Sequence, residues 1–196
     1  MSELLSALEA SASAAADYTA AARAAVKAQV GGDRAAIDRE QHLVHGLAWV
    51  ATYAETLREV SDWARALDQA DAFGETEQLL AKLLVGEYSA QLAGGLPMTQ
   101  VETIRPADFG VAPPPLALAA TQQDKTALAA LLRDARGRPT LENTGLEAEF
   151  EMIRDQFRKF ADAEVAPFAQ QWHLKDELIP LEILQHMGEL GVFGLT

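Results

Sequence analysis

The sequence predicts an all-α protein built as a helical bundle, and three observations support this. Apolar residues recur at spacings of three and four along most of the chain, the period of one face of an α-helix. Glycines and prolines interrupt that pattern at intervals typical of helix lengths. No segment indicates a convincing β-strand, and there is no internal repeat with a period of roughly 20 to 50 residues. An up-and-down bundle is the expected arrangement.

Four helices are predicted in the first part of the chain. An alanine-rich helix ends at Gly31-Gly32, and Asp33 is suited to cap the long helix that follows. Five of the eight prolines lie in Leu96 to Pro115, which predicts a long connection. The predicted helices span residues 2–30, 33–67, 75–93 and 116–135. Their apolar faces carry Ile37, Val44, Leu47, Val50, Ala51, Leu57 and Val60, then Leu79, Leu80, Leu83, Leu84 and Tyr88, then Leu128, Leu131 and Leu132.

The last quarter of the chain predicts two further helices separated by a break. Thr144 and Glu147 form the pattern of a capping box at the first start, and Pro167 should end or kink that helix. Pro180 and Gly191 bracket the second helix. The apolar stripe of the first is Leu146, Phe150, Ile153, Phe157 and Phe160, and that of the second is Leu181, Leu184, Met187 and Leu190. We expect the first stripe, including Phe150 and Phe157, to dock against the second helix.

The order of these features resembles the opening of the acyl-CoA dehydrogenases, flavoenzymes that introduce a double bond next to a CoA thioester. The pieces that carry the resemblance are Val165-Ala166-Pro167, Trp172, Pro180 and the turn Gly188-Glu189-Leu190-Gly191-Val192-Phe193-Gly194. The chain departs from the family at His173 and Leu174, where members usually carry charged residues. The resemblance stops at Thr196, so the chain looks like the front of a longer enzyme.

The first part has a resemblance of its own. Residues 45–64 and 73–110 are similar to the N-terminal extension of the methylsuccinyl-CoA dehydrogenases, acyl-CoA dehydrogenases that act on a branched, carboxylate-bearing CoA ester. The two resemblances together imply a helical extension over residues 1–140. They imply the start of the acyl-CoA dehydrogenase N-terminal α-helical domain over residues 141–196, with the boundary in Arg136 to Asn143.

The resemblance also implies what the parent enzyme binds. FAD is the implied cofactor, and an acyl-CoA substrate and an electron-transfer acceptor are the implied partners. The family's catalytic base is a glutamate of its C-terminal helical region, beyond the part that this sequence resembles. We therefore expect no catalytic residue and no identifiable cofactor-binding residue in this chain, and we expect the chain alone to be inactive.

Charge and composition disfavour several classes of function. The net charge is −13, with 12 basic against 21 acidic residues through Glu149 and 4 against 8 after it. Both parts should therefore repel nucleic acids and anionic membranes, and no basic patch for CoA is apparent. The absence of cysteine fits an intracellular protein. Glu3 and Glu9 precede the first cation, Arg23, unlike a targeting peptide. We predict a cytoplasmic homo-oligomer with no membrane insertion.

The histidines allow a metal site as one interpretation. His42 and His45 lie three residues apart, with Asp38 four residues before His42, so one helical face presents all three. Further ligands would be needed, and the composition supplies none. Hydrogen bonding at the helix surface is the favoured alternative, and the isolated His173 and His186 favour structural roles still more. We predict no metal site.

Aromatic residues and glycines allow two other interpretations. An aromatic cradle for a nucleotide or flavin ring is one, but core or interhelix packing is favoured because Trp49, Tyr53 and Trp63 share one broad face of a single helix. The aromatic set is Trp49, Tyr53, Trp63 and Tyr88. A phosphate-binding loop is the other, but neither Gly94-Gly95 nor Gly191-x-x-Gly194 follows a strand with the full spacing. Both are interpreted as helix stops.

Two hypotheses about function follow. In the first, the chain is the front portion of an FAD-dependent acyl-CoA dehydrogenase that converts methylsuccinyl-CoA to mesaconyl-CoA. In the second, the first 140 residues are a helical interaction module that pairs subunits or covers a substrate entrance, without catalysis of its own. A weaker variant of the second is a non-enzymatic bundle that stands alone.

Overall fold

The computed structural model describes residues 2–135 and 144–194, and these residues confirm the all-α prediction. The helices are α1 (Glu3–Val30), α2 (Arg34–Arg39), α3 (Gln41–Gln69), α4 (Glu75–Gly94), α5 (Pro106–Phe109), α6 (Gln122–Ala135), α7 (Ala148–Phe160), α8 (Ala166–Leu174) and α9 (Leu181–Glu189). A π-helical turn spans Ala161–Val165, and a 3₁₀ turn spans Val192–Gly194. The chain divides into two compact units, residues 1–145 and 146–196. The predicted boundary at Arg136 to Asn143 and the predicted stop at Gly137 lie outside the described residues.

The ends of α1 follow the prediction. The Ser2 hydroxyl accepts a hydrogen bond from the Leu5 backbone N–H, which satisfies one of the unpaired amides of the first turn. Gly31 closes the helix at φ +56°, and its N–H donates to the Lys27 carbonyl. Glycine suits this position because a left-handed backbone carries no Cβ penalty there.

The predicted helix over residues 33–67 is in fact two helices. Asp33 caps only the six-residue α2, through a bond from the Ala35 N–H to its carboxylate. Glu40 then leaves helical geometry, at φ −103° and ψ 29°, before α3 begins. Neither glycine nor proline marks this break, so the local sequence carries no signal for it. Ile37, predicted on the apolar face, is 41% exposed.

Two further boundaries differ from the sequence prediction. Residues 116–121 are not helical, and α6 begins only at Gln122, where Thr121 and Asp124 cap each other reciprocally. The connection after α4 contains the short α5 and two strands, β1 (Leu96–Pro97) and β2 (Thr103–Ile104), which pair antiparallel with Leu96 opposite Ile104. Strands of two residues are too short for an alternating pattern to appear in the sequence.

The core of the first unit lies between α1, α3 and α4, which contact one another pairwise. Its completely enclosed side chains include Leu8, Leu57, Val85 and Ile104. On α4 the buried apolar residues are Ala81, Val85 and Leu92, whereas the predicted apolar residues Leu79, Leu80, Leu83, Leu84 and Tyr88 are half-buried. Two glycines permit close approach. An ideal Cβ on Gly46 would lie 2.5 Å from Ile104, and one on Gly86 would lie 2.5 Å from the Ala120 nitrogen.

The second unit consists of α7, the π-helical turn, α8 and α9. Pro167 stands in the first turn of α8, directly after the π-helical turn. The chain stays helical from Ala148 to Leu174, so the predicted break is a change from π-helical to α-helical geometry and not an end of the helix. Pro180 precedes α9 and Gly191 follows it at φ +80°, also as predicted. The predicted capping box is wrong, because α7 begins at Ala148 with Glu147 itself in the capping position.

Candidate functional site

The most unusual surface of the molecule is the apolar face of the second unit. None of the described residues in 146–194 is buried. The large apolar side chains that are exposed there include Leu146, Phe150, Met152, Phe168, Leu174, Leu178, Ile179, Leu181, Leu184 and Phe193. Scattered apolar residues are ordinary on a protein surface, but so many in one short segment mark a surface that normally contacts something else.

The expected docking of α7 against α9 is only partly present. Phe150 is 53% exposed, so the prediction that this ring packs on the second helix is wrong. The contact between the two segments is made further along the chain, where the Phe160 ring meets the His186 ring edge-on with centroids 5.0 Å apart. The apolar stripe of α7 therefore has a half-buried carboxyl-terminal end and an exposed amino-terminal end.

A polar contact that the sequence prediction missed accompanies this ring pair. His186 Nδ1 lies 2.8 Å from a Glu164 carboxylate oxygen, across 22 residues of sequence. Glu164 sits in the π-helical turn, where the wider turn changes which side chains face α9. His186 is isolated in the sequence but paired in the structure, which agrees with the predicted structural role. A spacing of 22 residues has no meaning in a helical pattern, so only the folded chain reveals the pair.

The other aromatic residues of this unit form a second ring pair. Phe168 and Trp172 lie four residues apart on α8 and stack with centroids 5.9 Å apart and planes 28° apart. Trp172 is one of the residues on which the family resemblance rests. Phe168 is 49% exposed, so the pair presents aromatic surface outward from α8.

The histidines of the first unit make hydrogen-bonding and electrostatic contacts at the helix surface. His45 Nε2 accepts a 2.9 Å hydrogen bond from the indole N–H of Trp49, and His42 Nε2 lies 4.0 Å from an Asp108 carboxylate oxygen. Over the described ranges, no group of three or more histidine and carboxylate residues is arranged to hold a metal ion. The predicted absence of a metal site stays a prediction for the chain as a whole.

The four aromatic residues of the predicted cradle separate into two groups. Trp49 contacts Tyr53 edge-on, and Tyr53 stacks on Tyr88 with centroids 4.1 Å apart. The Tyr53 hydroxyl donates to Gln91, and burial raises its pKa, with a smaller contribution from Tyr88. Trp63 lies elsewhere, against Phe73. The four side chains are half-buried and pack against the core, which agrees with the packing interpretation.

The surface of the first unit has a cavity of about 450 Å³, and the residues in its wall decide whether an anionic ligand fits there. Its wall carries Lys82, Asp124, Glu3 and Glu75. The lysine ammonium lies 2.7 Å from Asp124 Oδ1 and is therefore already paired. Hydrogen bonds from Lys82 and from Thr121 lower the pKa of Asp124 to about 2, so this carboxylate stays ionised at neutral pH. An anionic pyrophosphate, as in FAD or CoA, does not fit so acidic a wall.

A buried tyrosine near the end of α5 has a shifted pKa as well. Tyr18 is almost completely enclosed, and its ring meets Phe109 edge-on with centroids 6.4 Å apart. Burial, reinforced by the negative charge of Asp108, raises the pKa of Tyr18 to about 12. The hydroxyl therefore stays protonated and neutral, as a structural residue of the core requires.

Comparison with known proteins follows this division into two units. Residues 147–196 match the family model of the acyl-CoA dehydrogenase N-terminal domain. The chain is also 46% identical over 187 residues to a protein of Cereibacter sphaeroides, the (2S)-methylsuccinyl-CoA dehydrogenase, an alignment that covers 89% of this chain and 34% of that relative. The chain thus spans about a third of the relative's length. No described helix has both the length and the apolar character that crossing a membrane requires.

Proposed function

We propose that this chain, whose residues 147–196 belong to the acyl-CoA dehydrogenase N-terminal domain family, is the amino-terminal portion of an FAD-dependent acyl-CoA dehydrogenase. Methylsuccinyl-CoA is the proposed substrate and mesaconyl-CoA the product. The single observation that carries this proposal is the 46% identity to the (2S)-methylsuccinyl-CoA dehydrogenase. An alignment that covers 89% of the chain necessarily includes both units, so the helical extension and the family domain match the same relative.

The exposed apolar face of residues 146–194 supports the same proposal. An acyl-CoA dehydrogenase must keep water away from its reacting centre, so that the carboxylate base stays basic and the reduced flavin is protected. Phe157 and Leu184 would contribute apolar wall surface to such an enclosure. Because none of the described residues of this unit is buried, its side chains are available for that packing.

The chemistry of the complete enzyme would require two groups beyond this wall. The thioester carbonyl acidifies the neighbouring C–H bond, a carboxylate removes that proton, and the flavin when bound accepts a hydride from the next carbon. The acidic cavity beside Lys82 does not fit FAD, and we assign no step of the reaction to a residue of this chain. The role of residues 1–196 is structural, as the prediction of an inactive fragment also states.

The test uses the complete polypeptide encoded by the gene that contains this sequence. Purified protein should contain FAD and should oxidise methylsuccinyl-CoA faster than butyryl-CoA, measured with an artificial electron acceptor. A protein with flavin that prefers butyryl-CoA would keep the family and refute the substrate. A protein that purifies without flavin would refute the function itself.

A second role is proposed for the first unit, because it has its own enclosed core, whereas none of the described residues of the second unit is buried. A bundle that is stable by itself and attached to an enzyme is suited to pair subunits or to cover a substrate entrance. The proposed enzyme is a cytoplasmic homo-oligomer. Size-exclusion chromatography and kinetics of the complete enzyme with and without residues 1–140 test this role. Unchanged assembly together with unchanged kinetics would refute it.

A further inference from the structure

The indole of Trp63 holds a distant part of the chain. Its N–H donates a 2.9 Å hydrogen bond to the carbonyl oxygen of Thr144, which is 81 residues later in the sequence. Thr144 and Gly145 are the first described residues after position 135 and the last residues of the first unit. The bond therefore fixes the end of this unit onto the second half of α3.

The neighbouring residue is shaped for the same contact. Gly145 has a φ of +72°, a left-handed backbone that side chains other than glycine rarely adopt. An ideal Cβ at this position would lie 3.0 Å from Trp63 Cδ1 and 3.5 Å from Leu67 Cδ2. Two separate requirements, the backbone angle and the close approach, thus favour glycine beside the indole.

The residues at the end of α3 contact the indole of Trp63 from another side. The Ala72 N–H donates to the Leu67 carbonyl at 2.8 Å, and Asp71 between them has a φ of +55°. This arrangement is a Schellman turn, which reverses the chain at the end of a helix. It brings Phe73 back onto Trp63, edge-on at 88° with centroids 6.3 Å apart. The indole is consequently held on one side by a ring while its N–H faces the Thr144 carbonyl.

We propose that Trp63, Leu67 and Phe73 form an anchor that fixes the chain at Thr144–Gly145, three residues before α7 begins. The anchor is a positioning device, not a catalytic one. Because of these contacts, the chain leaves the helical extension from a position that is fixed on α3. This inference does not depend on the proposed function, because it concerns contacts within the first unit alone.

The direct test is the solvent exchange of the tryptophan indole N–H groups, measured by ¹⁵N NMR on the chain of residues 1–196. The comparison residue is Trp49, whose indole N–H is bonded to the exposed ring of His45. The Trp63 indole N–H should exchange at least about fivefold more slowly than that of Trp49, because its acceptor is a part-buried carbonyl 81 residues away, whereas the acceptor of Trp49 is an exposed ring on the same helix. Equal exchange rates would overturn the anchor.

Two substitutions separate the anchor from general stability. Gly145→Ala should raise the exchange rate of the Trp63 indole N–H by about fivefold, because the added methyl group displaces the indole from its acceptor. The matched control is Gly110→Ala, since Gly110 has a similar φ of +68° but no atom within 4 Å of an added Cβ. That variant should leave the Trp63 indole unchanged. If both substitutions raise the exchange rate of the Trp63 indole N–H equally, backbone strain and not the close contact with Gly145 controls that rate, and the proposal is overturned.

A third variant removes only the donor. Trp63→Phe keeps an aromatic ring at this position, and amide hydrogen exchange of residues 144 and 145 should rise by about fivefold, while Trp49→Phe should leave it unchanged. Thermal unfolding of the first unit should be nearly the same in both variants. If exchange of residues 144 and 145 is equal in the two variants, the Trp63 hydrogen bond does not hold this segment.

Discussion

Replacing Gly86 with alanine should disturb the close contact between α4 and residues 119 and 120. Gly86 is buried, and an ideal Cβ there would lie 2.5 Å from the Ala120 backbone nitrogen and 3.0 Å from Ala120 Cβ. The nearest atom belongs to the backbone, so no side-chain rotation relieves the overlap. The segment that leads into α6 would have to move away from α4.

The magnitude follows from two opposing effects. Alanine favours a helix interior over glycine by about 1 kcal/mol. Overpacking a close contact costs about 1–3 kcal/mol, and a clash with backbone lies at the upper end of that range. We therefore expect Gly86→Ala to lower the free energy of unfolding by about 2 kcal/mol, a decrease in Tm of about 4–8 °C for a chain of this size.

Urea denaturation followed by circular dichroism measures the effect, and Gly94→Ala is the matched control on the same helix. An added Cβ at Gly94 has no atom within 4 Å, so this variant should be as stable as the unaltered protein or up to about 1 kcal/mol more stable. Hydrogen exchange in α6 detects the alternative that this helix lifts away locally. Equal stability of the two variants, with equal exchange in α6, would refute the argument from close approach.

Three further predictions concern side chains of the first unit. Ser89→Ala should raise the free energy of unfolding by about 1 kcal/mol, because the Ser89 hydroxyl is buried and has no hydrogen-bond partner among the described residues. Ser11→Ala, which removes a buried but bonded hydroxyl, should gain less in the same urea titration. Asp124→Asn should cost about 1 kcal/mol at neutral pH, since its ion pair is partly exposed. The folded-state pKa of Asp124 is lowered to about 2, so this stabilisation is complete above the unfolded pKa of about 4 and should disappear as the pH falls from about 4 to 2. The control Glu87→Gln, which alters a looser and exposed ion pair, should change the stability-versus-pH curve less. An equal change in the two curves would contradict the assignment. Leu57→Ala should cost about 2–5 kcal/mol because the side chain is completely enclosed, and a loss below about 1 kcal/mol would contradict its place in the core.

The contrast between the two units has a physical basis in how much apolar surface each can enclose. Three long helices of the first unit contact one another, so each can turn one face inward and bury Leu8, Leu57 and Val85 completely. The second unit has shorter helices, and none of its described residues is buried. A short segment exposes a larger fraction of its surface than a long one, so it depends more on contacts with other chain segments.

Much of the helical structure was predictable from the sequence, because helix formation depends on residues close together in the chain. The ends at Gly31, Gly94 and Pro180 agree with the structure since capping and proline effects act within one turn of the backbone. The break at Glu40 was missed because no residue there disfavours a helix strongly. The late start of α6 was missed because its cap at Thr121 lies inside an apolar stretch that suits a helix equally well.

The all-α class, several helix boundaries and the resemblance that the comparisons support follow from the amino-acid sequence, since each rests on short-range patterns. Tertiary structure alone decided which residues meet. Three contacts join parts of the chain that are far apart in sequence. They are the hydrogen bond between Trp63 and Thr144, the contact of His186 with Glu164 and the close approach of Ala120 to Gly86. Such contacts depend on how whole helices pack, and periodicity within one helix carries no information about which partner will face it.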